Sequence, residues 1–157
     1  LEIALACDMI VASETAVMGL PEILLNLIPG GGGTQRLAAK IGQSRANEIL
    51  MSGRNFTAKE GLAWGLINHC YDPEDFENEA LQFAESFSDK NPQALRILKQ
   101  LTQLGAGGPM NAAAQCIEND ALVRFYHSEA GQSQIQSFYQ ASLERERKRS
   151  AKSNSSS

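Results

Sequence analysis

The chain has 157 residues, 43% of them hydrophobic and 20% charged, with a formal net charge of −4. That length and composition suit a packed globular domain and exclude wholesale disorder, and the acidic balance excludes a general nucleic-acid or membrane-surface binder, which carries surplus Lys and Arg. No apolar run approaches the ~20 residues of a membrane-spanning helix.

The first residues, LEIALA, are apolar and helix-like from position 1, with Leu and not Met at the start. Such a beginning predicts that further residues precede Leu1, and no targeting segment is legible. In the next segment, CDMIVAS, Met9, Ile10 and Val11 suit a buried strand, SETA a turn, and VMGL a second brief strand. PEILLNLIPGGGG reads as irregular, and as too apolar for an ordinary surface loop. A helix follows from Thr34 to Ile41, stopped by Gly42, and Ser44 is placed to cap another that ends at Gly53. Thr57 and Glu60 form a capping box ahead of KEGLAWG, and LINHCY is a strand candidate.

From Asp72 onward the pattern is helical. Asp72-Pro73 and Asn91-Pro92 each set a capping side chain before a Pro at the first helical position. Phe76, Ala80, Phe83, Ala84 and Phe87 then recur at helical spacing. A third helix follows GAGGPM, and a fourth spans about 132–149, carrying Ile135, Phe138 and Leu143. The end of the chain, RERKRSAKSNSSS, has no apolar face and is expected to fray into a disordered tail.

The chemistry-bearing residues are few. Cys7, Cys70 and Cys116 are odd in number and form no CxxC or Cys/His pattern. They read as reduced thiols of an intracellular protein, with no disulfide framework or metal site. His69 and His127 are isolated. Gly30 to Gly33, ahead of TQR, could cradle a phosphate at a helix N-terminus, yet the lysine of GxxxxGK[ST] is missing and GxGxxG fails. The same glycines could instead permit close backbone packing, or present a backbone N–H to a substrate or water. Glu22 reads either as a turn acid or as a catalytic carboxylate, and Glu2 either as a polar helix position or as one.

Taken together, ALACD, GLPE, IPGGGGTQRL, the ANEIL helix, SGR and AWGLIN resemble the signature region of the enoyl-CoA hydratase/isomerase (crotonase) superfamily. The resemblance covers about the first seventy residues, and the helical remainder agrees in layout. It implies an α/β, crotonase-like fold, here a ββα spiral remnant over 1–70, followed by a helical oligomerisation or lid region over 71–149 and a disordered tail over 150–157. It also implies an acyl-CoA thioester as substrate, no metal and no cofactor beyond the coenzyme A that the substrate carries, and a homotrimer or a hexamer built as a dimer of trimers. The compartment would be bacterial cytoplasm or mitochondrial matrix.

By the same resemblance, Glu2 and Glu22 are the acid/base pair sharing a water molecule, one ionised and one protonated. Gly30 offers its N–H near that water, where a side chain would obstruct it. Lys148 is a candidate for a CoA phosphate, although SEAGQSQIQSF departs from the usual pattern just before it. The oxyanion-hole donors of the family fall before residue 1. The implied activity is hydration of a trans-2-enoyl-CoA in fatty-acid or branched-chain acyl catabolism. An enoyl-CoA delta isomerase, and a truncated inactive homologue with a structural role, are the alternatives; relatives of the isomerase kind keep an acid near Glu22 but an apolar residue at the Glu2 position.

Overall fold

A computed structural model of the chain describes residues 1–105 and 112–154, the side chains of 105, 112, 146 and 148–154 excepted. The chain divides into two compact units, Leu1–Lys90 and Asn91–Ser157. In the first, short strands alternate with helices: α1 (Glu2–Ala6), β1 (Val11–Ser13), β2 (Val17–Met18), a 3-10 turn (Pro21–Leu25), α2 (Gly33–Ile41), α3 (Gln43–Ser52), β3 (Phe56–Thr57), α4 (Ala58–Ala63), β4 (His69–Tyr71) and α5 (Phe76–Glu85). Parallel strands need a long crossover, and β1 reaches β4 only after the whole α2–α4 segment, pairing Val11 with His69 and Ser13 with Tyr71. β2 and β3 pair antiparallel, Met18 opposite Phe56.

The core of this unit is one cluster in which Leu37, Ile49 and Phe56 are the largest fully buried side chains. Those three bring α2, α3 and β3 together, and Leu5 and Leu20 attach α1 and the segment before the 3-10 turn to the same cluster. Ile10 and Ala12 are buried whereas Met9 is exposed, so β1 alternates as a half-covered strand does and is not the continuous buried run expected from CDMIVAS.

Local signals differ in how they translate. The box at Thr57 forms as expected: Thr57 Oγ1 accepts from the Glu60 N–H, and Glu60 Oε2 accepts from the Thr57 N–H at 2.8 Å. Asn91 Oδ1 accepts from the Gln93 and Ala94 amides at the start of α6 (Pro92–Gly105). Ser44, by contrast, caps nothing. Gly42, at φ +80, ends α2 and directly starts α3, so Ser44 falls inside the first turn. Asp72 closes a turn by accepting from the Glu74 N–H, and α5 begins four residues after it.

The stripe Phe76, Ala80, Phe83 and Phe87 is half-buried as its spacing implies, while Ala84 is exposed. Phe83 meets the ring of His69 edge-on at 4.9 Å, and Tyr71 stacks on that histidine at 5.9 Å. His69 is therefore an aromatic packing residue. The PEILLNLI run is apolar in sequence but open in the structure: Leu25 is 73% and Ile28 77% exposed. Its first half is a 3-10 turn with Ile23 and Leu24 lying against Gly53 at the end of α3, which leaves the opposite side uncovered.

The second unit consists of α6, α7 (Ala112–Tyr126) and α8 (Glu129–Asn154). Ser128 caps α8 by accepting from the Gly131 N–H, three residues ahead of the start expected near Gln132. Leu98, Leu122 and Phe138 are exposed.

Two measurements follow from the Thr57 box. Thr57→Ala is expected to cost about 1 kcal/mol in urea unfolding. The Thr57 N–H, ahead of the Arg54 guanidinium, holds the Glu60 carboxyl below the usual glutamate range. A depressed carboxyl contributes stability above its unfolded pKa and loses it as pH falls through the folded value. Wild-type stability should therefore fall below the ordinary value of 4.5 more steeply than that of Glu60→Gln; equal slopes would contradict this.

Candidate functional site

Glu2 opens α1, with Leu5 anchoring the next turn in the core. Its half-buried side chain points at the N-terminus of α2. There Glu2 Oε1 accepts from the Gly31 N–H at 2.9 Å and from the Gly33 N–H at 2.7 Å, and Oε2 shares the Gly31 N–H at 3.0 Å. Amides of residues i and i+2 converging on one anion around a left-handed residue make a backbone nest. Gly32, at φ +87, supplies the left-handed step. The first amides of a helix have no partner within the helix, and the helix dipole adds attraction for negative charge. The phosphate-cradle geometry suggested by the glycine run is thus present, but its anion is the protein's own carboxylate.

The glycines differ in what they do. A Cβ on Gly31 would lie 2.7 Å from Glu2 Oε2, and one on Gly33 2.8 Å from Glu2 Oε1. Either would push the carboxylate off its donors. Gly30, singled out from sequence, is exposed, and a Cβ there meets nothing within 4 Å. The protein's own packing does not require glycine at 30. The individual parts of Gly31 and Gly33 leave no mark in the sequence beyond their place at a helix N-terminus.

Glu22 lies in the first turn of the 3-10 segment, behind Pro21. Its backbone carbonyl accepts from the Leu27 N–H at 3.0 Å. Its side-chain Oε2 is buried with no hydrogen-bond partner, alone in that respect among the described residues. An unpaired buried carboxyl oxygen is costly unless it is protonated or meets a ligand or water. Glu2 and Glu22 therefore present opposite environments, one held by two backbone donors and one with a buried oxygen lacking any. No group of three or more His, Cys, Asp or Glu able to hold a metal occurs among the described residues. Lys148 lies in α8, and its side chain is outside the described residues. No helix among those described is long and apolar enough to cross a membrane.

Comparison with known proteins adds the context of this geometry. Residues 1–147 match the family model described as enoyl-CoA hydratase/isomerase. The short-chain-enoyl-CoA hydratase of Clostridium acetobutylicum is 35% identical over 129 residues, 82% of this chain and 46% of that one. The mitochondrial methylglutaconyl-CoA hydratase of Homo sapiens is 46% identical over 103 residues, 63% of this chain and 30% of that one. Among solved structures, the enoyl-CoA hydratase from Polaromonas sp. JS666 gives a TM-score of 0.81 at 31% identity, covering 89% of this chain and 54% of that one. That from Bacillus anthracis gives 0.79 at 33%, covering 87% and 53%. The α/β, crotonase-like fold expected from sequence is the fold observed. The chain spans about half the length of these structures, and less than half of the curated relatives.

The glycine geometry gives a graded expectation. Gly33→Ala should lower unfolding free energy by about 1–3 kcal/mol through loss of charge-assisted hydrogen bonds. Gly30→Ala should stay within about 0.5 kcal/mol of wild type. Equal costs in denaturant titrations would show that Glu2 does not depend on this backbone.

Proposed function

The chain belongs to the enoyl-CoA hydratase/isomerase family, and from that premise we propose that it hydrates a trans-2-enoyl-CoA across the 2,3-double bond. The observation that carries this reading is the contrast between the two glutamates. Glu2 accepts from two amides, which suits an acceptor-only carboxylate, since protonation would turn one oxygen into a donor. Glu22 keeps a buried oxygen without a partner, which suits a carboxyl that holds a proton or meets a ligand. Hydration needs both.

In this scheme Glu2 takes a proton from water as the water oxygen bonds to C3. Electron density moves through C2 to the thioester oxygen, and C2 then takes the proton from Glu22. One proton is gained and one given, so the product is the 3-hydroxyacyl thioester and the pair resets by exchanging a proton. Gly31 and Gly33 occupy three acceptor positions on Glu2. A carboxylate has about four, and the one left over, on Oε2, is where the water binds. Gly30, open and adjacent, offers its N–H to the same water. Coenzyme A belongs to the substrate and no further cofactor takes part; Lys148 is the candidate contact for a CoA phosphate. The exposed Leu98, Leu122 and Phe138 support self-association, as a homotrimer or a dimer of trimers.

Glu22→Gln is expected to reduce hydration by about 10²–10⁴-fold with an unchanged thermal midpoint, followed by loss of enoyl-thioester absorbance. Near-wild-type turnover would contradict the assignment. A Glu2→Ala variant that loses hydration but still migrates the double bond would show that the fold supports both reactions. Binding of acetyl-CoA by the 157-residue chain in a calorimetric titration would argue against the inactive-homologue reading.

A further inference from the structure

The nest around Glu2 has an outer side as well as an inner one. On the inner side the amides of Gly31 and Gly33 bond to the carboxylate. On the outer side the carbonyl of Gly31 accepts from Arg36 Nη1 at 2.5 Å. The guanidinium lies over Gly32 so closely that a Cβ there would sit 2.5 Å from Nη1 and 3.1 Å from Cζ. Arg36 is also tied to this loop through its backbone, its N–H donating to the Gly32 carbonyl at 3.0 Å in the first turn of α2.

The residue thus grips both carbonyls that flank the left-handed step. Glycine is the residue least able to hold a conformation by itself, because both signs of φ are open to it. Four in succession need an external restraint if two of their amides are to stay aimed at one carboxylate. The Arg36 side chain supplies that restraint with a charge-assisted hydrogen bond, the stronger class.

We propose that Arg36 is a positioning residue: it clamps the Gly31–Gly33 loop, and through it sets the orientation of the Glu2 carboxylate. The proposal rests on the hydratase reading only for its catalytic consequence, since the clamp itself is structural geometry. Arg36 is exposed on the surface of α2, so its replacement leaves the core untouched.

The test is amide hydrogen exchange by NMR in wild type, Arg36→Met and Arg36→Lys, with Leu37 as the internal reference in α2. In Arg36→Met, Gly31 and Gly33 should exchange about tenfold faster, while Leu37 is unchanged. Unchanged exchange at the two glycines would overturn the proposal. So would an equal rise at Leu37, which marks general destabilisation of the helix. Arg36→Lys keeps a donor and should fall between wild type and Met, and it carries the same test if Arg36→Met does not fold. A folded Arg36→Lys that exchanges as fast as unrestrained glycine would contradict the role of the donor. In hydration assays kcat should fall about tenfold with KM within about twofold, the signature of a misdirected base and not of weakened CoA binding. A wild-type protein that hydrates nothing would sink the hydratase reading alone, and the exchange result would still decide the clamp.

Discussion

A carboxylate placed at the mouth of a glycine run holds the candidate site together. Glu2 and Gly31 are 29 residues apart in the chain and Glu2 and Gly33 are 31 apart, yet the hydrogen bonds at 2.7–3.0 Å join α1 to the start of α2. Hydrogen bonds to charged groups contribute about 1.5–3 kcal/mol each when removal would leave a donor or acceptor stranded. The amides concerned have no helical partner of their own. One interaction therefore satisfies the helix start, fixes the direction of a carboxylate, and dictates the absence of side chains at 31 and 33. The loop that carries Glu22 leads directly into the same glycines.

The second constraint is an imbalance. Glu2 has donors on both oxygens, whereas Glu22 has a buried oxygen with none. Protein interiors rarely leave a polar atom in that state, and the exceptions concentrate where a ligand, a water or a proton completes the arrangement. Under the proposed hydration, two carboxyls held in unlike environments are what the acid/base chemistry requires. The fold makes that difference with short elements: a five-residue helix bears one acid and a five-residue 3-10 turn the other.

Much of this was legible in the sequence, and the boundary follows physical range. Features set by neighbours within four residues read correctly: the Thr57–Glu60 box, the Asn91 cap, Gly42 and Gly53 as helix ends, and Phe76, Ala80 and Phe83 on one face of α5, whereas Ala84 is exposed and Phe87 lies past the helix end. Ser44 misled because Gly42 serves two helices at once, and Asp72 because a Pro that can begin a helix can equally make a turn. Burial of PEILLNLI was beyond local pattern, since hydrophobicity shows what a segment prefers and not what covers it. The motif resemblance singled out Glu2, Glu22 and Gly30. It did not show that the anion facing the glycines is Glu2 itself, because no periodicity links positions 2, 31 and 33.

The Glu2 carboxylate is the anion of the Gly31–Gly33 nest, and the rest of the site is built around it. Scalar coupling across hydrogen bonds reads this directly, correlating an amide nitrogen with the carbon of the group that accepts its proton. Cross-peaks are expected from the Gly31 and Gly33 amide nitrogens to the Glu2 side-chain carboxyl carbon, and should disappear in Glu2→Ala. Correlations from those amides to any other acceptor, or amides that exchange as freely as an unstructured glycine, would contradict it.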